Sequence, residues 1–179
     1  MSGSSGDAPE GRGDVGGGDP ARPLRLLVLC THNSARSQMG EGWLRHHAAR
    51  LGLDAEVWSA GTEATRVKPD AIAAMAEVGI DLSGHASKTL WDLPDPWAFD
   101  VVLTVCDDAN ETCPLYPAAT TRLHVSFPDP TGKGRDAWRR VRDALDDTMR
   151  RLAETLARGE TPTSEGLVAG TAPDGGASA

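Results

Sequence analysis

The chain has 179 residues, which suits one domain of ordinary size, and the absence of any apolar run longer than a strand excludes a membrane span. Its 18 Lys plus Arg against 26 Asp plus Glu give a formal net charge of −8, a poor balance for binding nucleic acid or an anionic lipid surface. The first twenty-odd residues hold no apolar stretch that would act as a secretory signal, and 3 cysteines are too few for a disulfide scaffold, so a cytoplasmic monomer with reduced thiols is expected.

Residues 1–23 hold 7 of the 20 glycines and residues 159–179 another 5, with almost no large apolar side chains. Such segments bury too little surface to offset their ordering entropy, so both are expected to be disordered tails. Between them, residues 24–158 form the expected domain, with a net charge of only −3 that tolerates an anionic substrate. Arg25 to Cys30 (RLLVLC) is a short apolar run that predicts a strand covered on both faces. A polar loop follows, and then Met39, Trp43, Leu44, His47, Ala48 and Leu51 recur at helical spacing. Glu56 to Ala60 predicts a second strand. Pro69 opens a helix that carries Ile72, Met75 and Ala76 and stops at Gly79. Asp100 to Val105 and Arg122 to Phe127 predict the third and fourth strands, and Trp138, Val141, Leu145, Met149, Leu152 and Leu156 form the stripe of a long final helix. Strands alternating with helices predict an α/β single domain, a four-stranded parallel sheet with helices on both faces. Sites in such sheets lie at the carboxyl ends of the strands, which puts Cys30, Cys106 and Asp129 on one rim.

The loop Cys30-Thr31-His32-Asn33-Ser34-Ala35-Arg36-Ser37 runs from strand to helix, with 5 residues between the cysteine and the arginine. A loop of this length can curl around a tetrahedral oxyanion, its amides pointing inward and the helix N-terminus facing the same point. Arg36 can close the ring with a bidentate fork. Cys30 would then lie beneath the anion, beside a guanidinium and a helix N-terminus, both of which favour the thiolate. Ser37 can donate to the sulfur, and Asn33 tolerates the left-handed backbone of a tight loop. A lone cysteine at a strand end is more commonly a small buried apolar residue, but that reading explains neither the spacing nor the context.

Asp129-Pro130 follows the fourth strand. By itself it reads as a turn, and beside an oxyanion loop as a general acid. Cys106 and Cys113 lack the spacing of a zinc site. On a helix their Cα atoms would stand about 10 Å apart at 1.5 Å rise per residue, beyond the roughly 4.4–6.8 Å of a disulfide. They can pair only if this polar segment is a loop or unwinds; otherwise they are two unrelated thiols. His46 and His47 diverge on a helix and do not suggest a metal site, and His124 reads as structural.

The segments CTHNSARSQM with EGW after it, WSAGTE, VCDDANETCP and FPDPTGK resemble the thioredoxin-coupled arsenate reductases, which share the low-molecular-weight tyrosine phosphatase fold. The resemblance runs from Leu26 to about Leu156, and its specific part is the combination of three cysteines. It implies Cys30 as nucleophile, Arg36 and the amides of residues 31–37 as the arsenate site, Asp129 as acid, and Cys106 and Cys113 as successive resolving thiols. It further implies arsenate as substrate, thioredoxin as reductant, phosphate or sulfate as competitors, and no cofactor. In some members a potassium ion sits behind the loop; its ligands match Asn33, Glu41 and Ser59, and the acidic residue that completes the set falls on Lys88 here, whose ammonium is expected to replace the ion. Ala35 stands where many phosphatases carry a second loop cysteine, and Thr131 and Gly132 where they place aromatics. A phosphatase using only Cys30, Arg36 and Asp129 is the main alternative, and a non-enzymatic oxyanion binder a third.

Overall fold

The computed structural model describes residues 22–107, 116 and 120–168. Four strands, β1 (Leu24–Cys30), β2 (Ala55–Gly61), β3 (Val101–Thr104) and β4 (Thr121–His124), form one parallel sheet in the order β2-β1-β3-β4. Three α-helices accompany them among the described residues: α1 (Arg36–Arg50), α2 (Pro69–Ala76) and α3 (Arg135–Ala157). The central strand β1 is buried from Leu26 to Cys30, as its unbroken apolar run requires.

Among the described residues both faces are covered, unequally: the three α-helices pack on one and a short 3-10 turn on the other. Leu26, Val28 and Cys30 pack with Met39 and Leu44 of α1, Met75 of α2, and Leu145, Met149 and Leu152 of α3 in one cluster. Leu27 and Leu29 point the other way, to Leu90 of a 3-10 turn (Leu90–Asp92), Leu93 just after it, Phe99 and Tyr116. Helix α1 lies close to the sheet because Gly40 has no side chain there: a Cβ would meet Val28 and Met149 at 3.1 Å each.

Three boundaries differ notably from expectation. Strand β4 ends at His124 rather than Phe127, because the chain leaves the sheet to bring the Phe127 carbonyl to Arg36 (Nη1 to O, 2.9 Å). The fold also runs past Arg158: residues 165–167 form a 3-10 turn, Leu167 is 1% exposed in the main core, and Ser164 Oγ accepts the His124 amide at 2.9 Å. An edge strand leaves its amides without ladder partners, and this segment supplies one. Glycine-rich composition concealed that single anchoring leucine. At the other end Arg22 already belongs to the fold, its guanidinium forked onto Asp100 at 2.9 and 2.7 Å. The rest of the expected tails, 1–21 and 169–179, lies outside the described residues.

Candidate active site

The loop between β1 and α1 is held open by its carbonyls, each of which is bonded on the outside. Thr31 O accepts from the amides of Thr62 and Glu63 at 2.9 and 3.0 Å, and His32 O from Ser87 Oγ at 2.9 Å. Asn33 O accepts from Gln38 Nε2 at 3.3 Å, Ser34 O from the Lys68 amide at 2.8 Å, and Ala35 O from the Met39 amide at 2.9 Å. With the carbonyls turned outward, the amides are left on the inner side, the arrangement of an anion-binding nest at a helix N-terminus. Asn33 supplies the left-handed residue, φ 48°.

Behind the loop lies a buried chain of hydrogen bonds. Asn33 Nδ2 donates to Ser37 Oγ and Ser59 Oγ, both at 2.9 Å. Ser37 Oγ thus accepts from Asn33, which directs its own proton toward Cys30 Sγ, 2.8 Å away. A thiolate is the form such a donor stabilises. Asn33 Oδ1 accepts from Gln38 Nε2 at 2.8 Å and from the Lys88 amide at 3.0 Å. Ser59 donates onward to Glu41 at 3.1 Å. Burial pushes the Glu41 carboxyl up, but the His85 hydrogen bond and the charges of Lys88, Arg45 and His85 prevail and hold it below the ordinary value. Burial, seconded by Arg45, lowers Lys88 against the pull of Glu41.

Arg36 and Asp129 join Cys30 in a cleft of roughly 500 Å³ that is also lined by His32, Ser34, Arg66 and Lys68. Asp129 Oδ1 accepts from the Thr131 amide and hydroxyl at 3.0 and 2.7 Å. Burial raises the Asp129 carboxyl, but those bonds and the charges of Arg36 and Lys68 outweigh it and keep the group below its ordinary value. A bound dianion would offset the two cations and favour the protonated acid.

Cys106 is a second buried thiol, fully enclosed. Leu29 pairs with Thr104, and the Val105 amide continues the ladder to Leu29 O at 2.9 Å, so Cys106 falls just beyond the residue opposite Cys30 on the adjacent strand. Both cysteines belong to the same apolar cluster. Cys113 lies outside the described residues. His47 and His124 are engaged elsewhere: His47 with Asp146 at 2.6 Å and stacked on Trp43, and His124, read as structural, with Thr104 at 2.6 Å.

Several residues that build the site were not legible in the sequence. Gln38, fully buried, and His85 brace the loop from behind, Ser87 and Lys68 from its flank. Gly61 at the end of β2 is the tightest of all: a Cβ there would lie 2.5 Å from Thr31 O and 2.9 Å from Asn33 N. The glycine at a strand end was the available signal. Gly61→Ala cannot be relieved by rotating a side chain, because the obstacle is backbone. It should destabilise the fold by about 1–3 kcal/mol and displace the loop. Calorimetric titration with phosphate checks this: wild-type binding in the variant would show that the close approach is dispensable.

The sequence profile described as low molecular weight phosphotyrosine protein phosphatase matches residues 25–161. An arsenate reductase of Bacillus licheniformis is 43% identical over 139 residues, 73% of this chain and 95% of that protein. One from Staphylococcus epidermidis is 44% identical over 120 residues, 67% of this chain and 88% of that protein. Among solved structures, an arsenate reductase in its phosphate-binding state superposes with a TM-score of 0.63 at 31% identity, covering 74% of this chain and 98% of that one. A cysteine-to-serine mutant of the arginine phosphatase YwlE, with its active-site serine phosphorylated, gives 0.62 at 27% identity over 74% of this chain and 95% of that one. The loop from Cys30 to Ser37, Asp129 after the last strand and the four-stranded sheet from Arg25 onward all lie within the profile match, and the chain belongs to the low molecular weight phosphotyrosine protein phosphatase family and is similar to arsenate reductases.

Proposed function

We propose that this protein reduces arsenate to arsenite by a relay of three cysteines recycled by thioredoxin, as a cytoplasmic monomer that serves arsenic detoxification. The observation that carries the reading is Cys106, a second buried thiol just past the end of the strand beside Cys30 and in the same cluster. Hydrolysis of a phosphate ester needs only one thiol. An arsenate reductase solved in both reduced and oxidised states, 31% identical to this chain, gives further support.

The Cys30 thiolate attacks arsenic held by Arg36 and the loop amides, and Asp129 protonates the departing oxygen. Cys106 attacks the Cys30 sulfur, the S–As electron pair passes to arsenic, and arsenite leaves. Cys113 attacks Cys106 and frees Cys30 as thiolate. The dithiol of thioredoxin then reduces the Cys106–Cys113 disulfide. Phosphate and sulfate compete for the loop because it reads shape and charge. The deciding experiment is arsenite release in the presence of thioredoxin, thioredoxin reductase and NADPH; no arsenite above the rate without enzyme overturns the reading. Phosphatase action by Cys30, Arg36 and Asp129 is the second reading, favoured by the likeness to YwlE. An aryl-phosphate assay that exceeds the arsenate rate would select it.

Lys88 extends the proposal. The oxygens that would hold a potassium ion are already committed: Asn33 Oδ1 accepts two protein donors, and Ser59 Oγ accepts from Asn33 while donating to Glu41. The Lys88 charge acts on Glu41 instead. This set does not suit a cation. Exchanging sodium for potassium at constant ionic strength should leave the rate unchanged, whereas Lys88→Asp should make it potassium-dependent or weaken arsenate binding. Strong, specific potassium activation of the wild type would reject the role of Lys88.

A further inference from the structure

Asp129 begins a short closed loop. Pro130 O accepts the Lys133 amide at 3.1 Å, with Gly132 at φ 75° between them, a turn that needs a residue tolerant of positive φ. The turn presents both donors of Thr131 to a single atom of Asp129: amide and hydroxyl reach Oδ1 at 3.0 and 2.7 Å.

We propose that Thr131 is a positioning residue for the acid, its two donors occupying Oδ1 so that the transferable proton resides on Oδ2. This rests on Asp129 acting as the acid of the site. Donors on Oδ1 stabilise the carboxylate more than the carboxylic acid. Their contribution therefore grows as the proton leaves, which is the differential binding that lowers a barrier. With hydrogenarsenate, the Cys30 sulfur–arsenic bond forms and an As–OH bond breaks. The hydroxyl takes the Oδ2 proton and departs as water, Asp129 becomes the carboxylate, and arsenic stays in the +5 state. The charged or titratable groups around Asp129 are Cys30 of β1, His32 of the loop, Arg36 of α1, Arg66 and Lys68 before α2 and Asp70 of α2, with Lys133 before α3 and Arg140 of α3 on the far side of the loop.

Thr131→Val keeps the amide and the shape but removes the hydroxyl; Thr131→Ser restores it. Carbon-detected NMR titration of the Asp129 carboxyl should show its midpoint raised in the valine variant and returned to the wild-type value in the serine variant. Aryl phosphates of graded leaving-group strength read the catalytic side. The valine variant should lose roughly tenfold on phenyl phosphate, the scale of one hydrogen bond to a charged group, and little on dinitrophenyl phosphate, which needs no acid. An unchanged midpoint, a serine variant that behaves like valine, or a loss independent of the leaving group overturns the proposal. The titration involves no substrate, so it decides the matter whatever the hydrolytic rate. If the wild type released no arsenite while the titration and the leaving-group series behaved as expected, the reductase reading would fall and the role of Thr131 would stand.

Discussion

Cys30→Ser should remove arsenate reduction and any accompanying phosphatase activity together, by a factor on the order of 10⁴ or more, the scale of losing a nucleophile. The cause is acid–base chemistry rather than shape. The sulfur lies 2.8 Å from the Ser37 hydroxyl, which donates to an anion but is no base. A serine hydroxyl in that position has nothing to take its proton and stays a poor nucleophile. Because the substitution leaves Arg36 and the outward-turned carbonyls of residues 31–35 in place, phosphate should still bind, and calorimetry separates that from turnover. Residual turnover near one per cent in either assay would remove Cys30 from the mechanism.

Substituting the other two thiols should separate reduction from hydrolysis. Cys106→Ser should release no arsenite, because nothing then attacks the Cys30 sulfur to send its electron pair to arsenic. Cys113→Ser should release a single equivalent per enzyme and stop as a Cys30–Cys106 disulfide, which mass spectrometry would detect. Both variants should keep weak hydrolysis of an activated aryl phosphate, since thiols do not reduce phosphorus in a phosphocysteine. A Cys113 variant that cycles fully with thioredoxin would mean a shorter relay. A Cys106 variant that still releases arsenite would mean that another thiol resolves Cys30. The register supports the first step: Cys106 follows the residue opposite Cys30 on the neighbouring strand, and strands in a sheet stand about 4.8 Å apart.

What the amino-acid sequence determined by itself was local in character. An unbroken apolar run could only be the doubly covered central strand, and β1 is buried on both faces from Leu26 to Cys30. The stripe from Trp138 to Leu152 could only be one side of a helix, and those positions of α3 face the core. The Cys-to-Arg spacing sets the length of a loop that curls, and Asn33 takes the left-handed backbone expected of it. These features depend on neighbours within a few residues, which is why they are readable in one dimension. The tertiary structure decided what comes from afar. Loop carbonyls are turned outward by amides and hydroxyls of Thr62, Glu63, Lys68 and Ser87, between 31 and 55 residues away in the chain. Gly61 is required only because β2 ends against Thr31. The segment after Arg158 reads as tail by composition and is held by one leucine and one serine that find the core and an edge strand. Thr131 becomes informative only once the turn aims both its donors at Asp129. Composition and periodicity report how each residue prefers to be solvated, whereas the partner of a hydrogen bond is set by where the fold brings a distant atom.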